Sequence, residues 1–355
     1  MPVGVVLPGG GMSIAEGVAL AQRAEQAGAS GVYVVEAWRS AFVPLAAIAA
    51  ATERVTIGPY VLNAYGRTPW IAGLSALDLD DLSGGRVVIG VGSGNVFTNR
   101  VYQGVEPVRP LAKMNDYVEV IRRIVRAQPG AAVQFRGEVH SISDWVPQNP
   151  PTQEAIPVYL AAIFPKMRRV AGRVADGVAL GALLSREFID ETVLPGVHEG
   201  AVEAGRDPVS LGVKMAIFAS VSDDRDEADR AARTAIVNLF VPKPHKHYEQ
   251  TLEEQGHGSA LAKILARLAD GDHAGAVDEV PQEVVDELTI SGTPAQCRAR
   301  IDAYQGVVDE VLLVNVGATR HRLDAATASD RQAIRASYDP VIQLAGQASV
   351  GAAVR

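Results

Sequence analysis

A chain of 355 residues, 48% hydrophobic and 21% charged, can bury a large core and has the composition of an ordinary soluble globular protein. Its formal net charge of −8 argues against a nucleic-acid or anionic-membrane partner, and no apolar run approaches the length of a membrane span. One cysteine, Cys297, excludes an intramolecular disulfide and a thiolate metal cluster, and without a basic and apolar leader the expected compartment is the cytoplasm.

Residues 3–7 read as an apolar strand. Ser13 then caps a helix with Glu16 at the capping-box position and Ile14, Val18 and Ala21 on its apolar face, and Gly28 ends it. Residues 32–35 are a second buried strand and 45–51 a helix of small residues. The strand that begins at Arg54 carries Val55, Ile57, Tyr60 and Val61, with a kink at Gly58-Pro59. Pro69 opens a helix bearing Ile71, Leu74, Leu77 and Leu82, which Ser83-Gly84-Gly85 stops. Residues 87–91 are almost wholly apolar, as in strands buried on both faces.

A helix over 111–127, a hairpin turn at Phe135-Arg136-Gly137-Glu138 and a proline-rich loop over 147–151 follow. Strands at 157–161, 177–180 and 211–221 are separated by a helix with Met167, Val170 and Val174 and by a long helix through Phe188, Val193 and Val202. Residues 223–287 break the rhythm with two or three helices, interrupted at Pro242-Lys243-Pro244-His245 and containing no strand. They read as an insertion and a candidate lid. Thr293 and Pro294 start another helix, and 310–316 is the eighth strand. The alternation predicts an α/β fold, a (β/α)8 TIM barrel forming one domain over 1–355, with the helical insertion between strands seven and eight.

Active sites of such barrels lie at the C-terminal ends of the strands. That selects 9–11, 36–38, 60–63, 92–95 and 161–164. The run Gly90-Val91-Gly92-Ser93-Gly94 fails as a dinucleotide fingerprint, because Asn95 stands where the third glycine belongs and no helix opens after it. Its glycines let a flat ligand or a phosphate approach the backbone, or they form a plain glycine-rich turn at the rim. Pro165 opens a helix whose free N–H groups suit an anion, with Lys166 as a supplement. His245, Lys246 and His247 lack a further ligand for a metal and read as a solvated basic loop.

Taken together, Asn63-Ala64-Tyr65-Gly66-Arg67-Thr68-Pro69, Leu77-Asp78, Leu82-Ser83-Gly84-Gly85-Arg86 and Gly90-Val91-Gly92-Ser93-Gly94 resemble the luciferase-like superfamily. The likeness is greatest to its branch that uses the deazaflavin coenzyme F420, typified by methylenetetrahydromethanopterin reductase, and it extends more weakly over 3–316. The resemblance implies a coenzyme phosphate on the backbone amides of Ala161, Ala162, Ile163 and Phe164. It also implies a non-proline cis peptide near Tyr60 and Val61 that backs the coenzyme ring, Asn63 as a polar contact beside it, Gly92, Ser93 and Gly94 at the coenzyme, and a homodimer.

Two positions depart from that pattern. Several deazaflavin enzymes of the family carry an acid-histidine pair after strand two and a carboxylate after strand four. Glu36-Ala37 and Asn95 stand there instead. Glu36 and Asn95 are therefore the candidate catalytic residues, with Glu36 orienting the substrate or relaying a proton, or else forming an ordinary salt bridge. The resemblance implies an F420-dependent oxidoreductase that transfers a hydride to or from a small organic substrate. The rivals are an FMN-dependent monooxygenase of the same fold and a cofactor-binding or dimer-partner chain that has lost catalysis.

Overall fold

Five consecutive apolar residues, Val3–Leu7, form β1, which is buried along its whole length with strands on both sides. The structure, a computed structural model, describes residues 1–8, 10–241, 246–320 and 327–353. From β1 the chain passes through α1 (Ile14–Ala27), β2 (Gly31–Val34), α2 (Phe42–Ala49), β3 (Thr56–Pro59), β4 (Leu62–Asn63), α3 (Pro69–Ser83) and β5 (Ile89–Gly92). Then come α4 (Pro110–Ile124), a hairpin of β6 (Val133–Arg136) and β7 (Ser141–Trp145), β8 (Val158–Ala161), α5 (Pro165–Val174) and β9 (Gly177–Leu180). Next are α6 (Arg186–Phe188), α7 (Leu194–Glu203) and the long β10 (Gly212–Val221).

The insertion holds α8 (Arg225–Asn238), α9 (Lys246–Glu254), α10 (Gly258–Ala269), α11 (His273–Asp278) and α12 (Gln282–Leu288) among the described residues. The last part is β11 (Ile290–Gly292), α13 (Pro294–Ala303), β12 (Glu310–Asn315), α14 (Ala328–Ala336) and α15 (Tyr338–Ala353). The Pro242-Lys243-Pro244-His245 interruption and Gly9 lie outside the described residues.

The main sheet runs β3-β2-β1-β12-β10-β9-β8-β5-β4, and its pairings are parallel. Its two ends are halves of one broken strand: β3 meets Val87 through a bridge at Ile57, and β4 pairs with β5. The ring thereby closes as the (β/α)8 barrel that the alternation predicts. The short β11 stands off the ring as a side partner of β10, a strand that local sequence did not reveal because its three residues follow directly on α12.

Local signals explain the helix ends. Ser13 and Glu16 form the predicted capping box, and Gly28 closes α1 in the left-handed region. Thr68 caps α3 ahead of Pro69. The helix predicted through Phe188, Val193 and Val202 is instead broken into α6, a π-helical turn over Ile189–Val193 and α7. Apolar periodicity continues across all three pieces, so it cannot register the change of hydrogen-bond ladder.

Inside the barrel, Val6, Tyr33, Ala216 and Leu312 pack together with Tyr60 and Val314. At the end where the strands begin, the lumen is plugged by charge. Lys214 and Glu310 are register partners on β10 and β12 and form an ion pair with side-chain exposures of 12% and 6%. Tyr33 and Ser30 donate to the same carboxylate at 2.9 and 2.6 Å, and the Lys214 ammonium lies over the rings of Tyr33 and Tyr159. The insertion has its own apolar cluster, which takes in Leu183 from the segment after β9. Gln255 fixes that attachment by accepting from Ser185 N and donating to Leu183 O, both at 2.8 Å.

Candidate active site

At the opposite end of the barrel, the strand broken between β3 and β4 builds one wall. The Tyr60–Val61 peptide is cis, at the place the resemblance implies. Tyr60 turns into the lumen, where its hydroxyl lies 2.7 Å from Leu180 O and 2.9 Å from Lys214 O and its ring meets Tyr33 edge to face. Burial raises the Tyr60 phenol well above its usual range, so this hydroxyl stays protonated and anchors the ring.

Val61 and Asn63 explain the glycines in and just after β5. A Cβ on Gly92 would stand 2.9 Å from Val61 Cγ2 and 3.2 Å from Ala161 Cβ, and one on Gly94 would stand 2.4 Å from Asn63 Nδ2. Gly94 also has φ +64°, where a side chain is strained. The space these glycines leave is thus filled by the neighbouring strand. The glycine run is first a requirement for two stretches of chain to pack, and only then a backbone surface near a ligand.

Asn63 joins three strand ends. Its Oδ1 accepts from Tyr65 N at 2.9 Å and its Nδ2 donates to Asn99 Oδ1 at 2.7 Å, while Asn99 Nδ2 donates to Ser93 O at 2.9 Å. Both side chains are buried, so these bonds are made in a low-dielectric interior. Toward β2, Glu36 accepts from Arg67 at 2.5 Å and from the backbone N–H groups of Asn63 and Ala41 at 3.4 Å. The Arg67 guanidinium in turn lies over the Phe42 ring. Asn95 Oδ1 accepts from Phe97 N at 2.7 Å and from Thr98 N at 3.4 Å, in the segment that leads into a π-helical turn over Thr98–Tyr102. The two candidate catalytic residues are therefore both engaged with the chain.

The second wall is the end of β8. Ala161, Ala162, Ile163 and Phe164 lead into α5, whose N-cap residue, Phe164, supplies no side-chain hydrogen bond and whose first turn holds no acid. Lys166 is exposed in that first turn, and Arg168 is buried over the Phe188 ring. Cations at a helix N-terminus oppose the helix dipole, so this terminus lacks the anion that both would favour. Beside it, a Cβ on Gly181, one residue past β9, would meet nothing within 4 Å. Open space and an uncapped, cation-flanked helix end fit a ligand phosphate.

Sequence reasoning missed Asn99 and Arg67 as site residues, since an asparagine in a turn and an arginine in a loop carry no periodic signal. Cys297 is fully buried on α13, and burial pushes its thiol up to about 12, which makes it unreactive. Lys246 and His247 begin α9, and His245 lies outside the described residues. Among the described residues no helix is long and apolar enough to cross a membrane.

The sequence pattern of the luciferase-like monooxygenase family matches residues 1–310. The chain belongs to that family. It is 29% identical over 266 residues to the 5,10-methylenetetrahydromethanopterin reductase of Archaeoglobus fulgidus, covering 74% of this chain and 77% of the relative. Its fold is that of the coenzyme F420-dependent tetrahydromethanopterin reductase of Methanopyrus kandleri, with a TM-score of 0.79 at 23% identity over 99% of this chain and 98% of that one. A monooxygenase from Streptomyces bottropensis shares the luciferase-like fold too, with a TM-score of 0.67 at 20% identity over 99% and 100% of the two chains.

Proposed function

We propose that this luciferase-like chain is an F420-dependent oxidoreductase acting on a small organic substrate. The likeness to the two tetrahydromethanopterin reductases favours that coenzyme, and the uncapped N-terminus of α5 beside the Val61–Gly92 wall is the feature of the chain that suits its phosphate. In this reading the backbone amides of Ala162, Ile163 and Phe164 hold the phosphate, and Tyr60 and Val61 back the ring. Asn63 offers its remaining amide hydrogen and lone pair. When bound, the coenzyme supplies or accepts the hydride, while the protein orients the partners and excludes water. The expected reaction is reduction of an electron-poor double bond or imine, with no oxygen atom left in the product.

An FMN-dependent monooxygenase is the second reading, favoured by the fold shared with the Streptomyces bottropensis monooxygenase. Titrating the purified protein with F420 and with FMN in parallel decides between them. Binding of FMN alone, with turnover that places labelled oxygen in the product, would overturn the deazaflavin reading. Tight F420 binding without turnover of any acceptor would favour the catalytically silent chain.

Glu36 is assigned to orienting the site. Its carboxylate holds Asn63 N and Arg67, so it acts on the coenzyme wall through the backbone. Glu36→Gln and Arg67→Met should each weaken F420 binding by about threefold to tenfold, less than the full worth of a charge-assisted contact because the effect reaches the coenzyme only through the backbone. If Glu36→Gln lowers turnover alone and Arg67→Met changes nothing, Glu36 relays the proton instead.

A homodimer belongs to the same proposal. Val43 on α2 and Trp70, Ile71 and Leu82 on α3 are exposed on adjacent helices, an apolar surface that a second copy would cover. Light scattering that gives only the 37.4 kDa of one chain would remove it.

A further inference from the structure

The π-helical turn Thr98–Tyr102 has one face fixed and one bare. Such turns are rare and recur at functional sites. The fixed face is keyed to the coenzyme wall: Asn99 is fully buried between Asn63 and Ser93 O, and Gln103 follows against Gly66. On the bare face Val101 and Tyr102 are 59% and 60% exposed, and Val96 just before the turn is 46% exposed. The Tyr102 ring is steadied by Phe97, edge to face at 5.4 Å. Arg100, the single charge on the turn, is taken up by a two-pronged contact to Glu106 at 2.8 and 2.6 Å. What the turn offers is therefore an ordered aromatic surface beside an exposed but mutually neutralised ion pair, in the loop that follows β5. Adjacent large apolar side chains left in water at such a place mark a binding surface.

We propose that this turn is the substrate-recognition element of the site, and that it receives a neutral, planar ring system stacked against Tyr102. The word substrate rests on the oxidoreductase reading above, but the ring-binding surface does not. An aromatic face prefers a flat partner in offset or edge contact, and a turn whose one cation is already paired to Glu106 gives a charged ligand little to replace its hydration. Tyr102 is then a specificity-determining residue, and Asn99 positions it.

The test is calorimetric binding of 2-methyl-1,4-naphthoquinone, a neutral planar probe, to the full chain, both alone and saturated with F420. Tyr102→Ala should weaken binding by about tenfold or more and Tyr102→Phe by less than about threefold, since stacking survives without the hydroxyl. Val209→Ala, at a remote residue that is 90% exposed, should bind as the wild type does. Cyclohex-2-enone, which has no extended plane, should bind more weakly and be indifferent to Tyr102→Ala. No binding of the naphthoquinone by the wild type, or equal binding by Tyr102→Ala, would overturn the proposal. So would a loss of self-association in Tyr102→Ala with ring binding intact, because a second copy would then be what covers the turn. If F420 fails to bind while the Tyr102-dependent ring binding persists, the oxidoreductase reading falls and this surface stands.

Discussion

Replacing Glu310 by alanine should cost the fold about 3–5 kcal/mol, the usual penalty for leaving one member of a buried ion pair without the other. Three groups lose their partner at once: the Lys214 ammonium, the Tyr33 hydroxyl and the Ser30 hydroxyl. Lys214 gains little solvation in exchange, since its ammonium lies over two tyrosine rings and its side chain is only 12% exposed. The double variant Glu310→Gln with Lys214→Met keeps an acceptor for the hydroxyls and removes the stranded charge, so it should recover most of the loss. Denaturant midpoints of the three proteins measure this. A Glu310→Ala midpoint equal to the wild type would mean that water reaches the plug and that the pair contributes nothing.

The second large effect concerns the anion site proposed at the N-terminus of α5. Ile163→Pro deletes a backbone donor ahead of α5, whereas Lys166→Ala deletes an exposed charge. A hydrogen bond to a charged group is worth about 1.5–3 kcal/mol, so the proline variant should lower F420 affinity by about tenfold to a hundredfold. The exposed lysine contributes at most about 1 kcal/mol, and its loss should be severalfold at low salt and smaller at high salt. Fluorescence titration of the coenzyme against both variants makes the comparison. Equal or reversed losses would show that side-chain charge, and not the helix terminus, holds the anion.

The sequence by itself determined what depends on neighbours within a turn or two. The Ser13–Glu16 box, the Pro69 start of α3, the alternation of strands and helices and a hairpin near Gly137, whose turn falls at 137–140 rather than 135–138, were readable, because capping, turn formation and amphipathic spacing act over a few residues. The alternation also fixed the barrel and, through the strand-end rule, the face that carries the site. The cis peptide at Tyr60–Val61 was legible only through the family resemblance.

Only the tertiary structure decided what those strand ends do. Gly92 and Gly94 look from the sequence like room for a ligand, but the fold fills that room with Val61 and Asn63, side chains from an adjacent strand. Glu36 looks like a lone strand-end acid until the fold brings Arg67 to it across 31 positions. Asn99 carries no sequence signal, yet it is buried between Asn63, 36 positions away, and Ser93 O. Glu310 and Lys214 stand 96 positions apart and meet only because β10 and β12 are neighbours in register. A charge or an amide announces its chemistry in the sequence, but its partner is set by which strands the barrel places side by side.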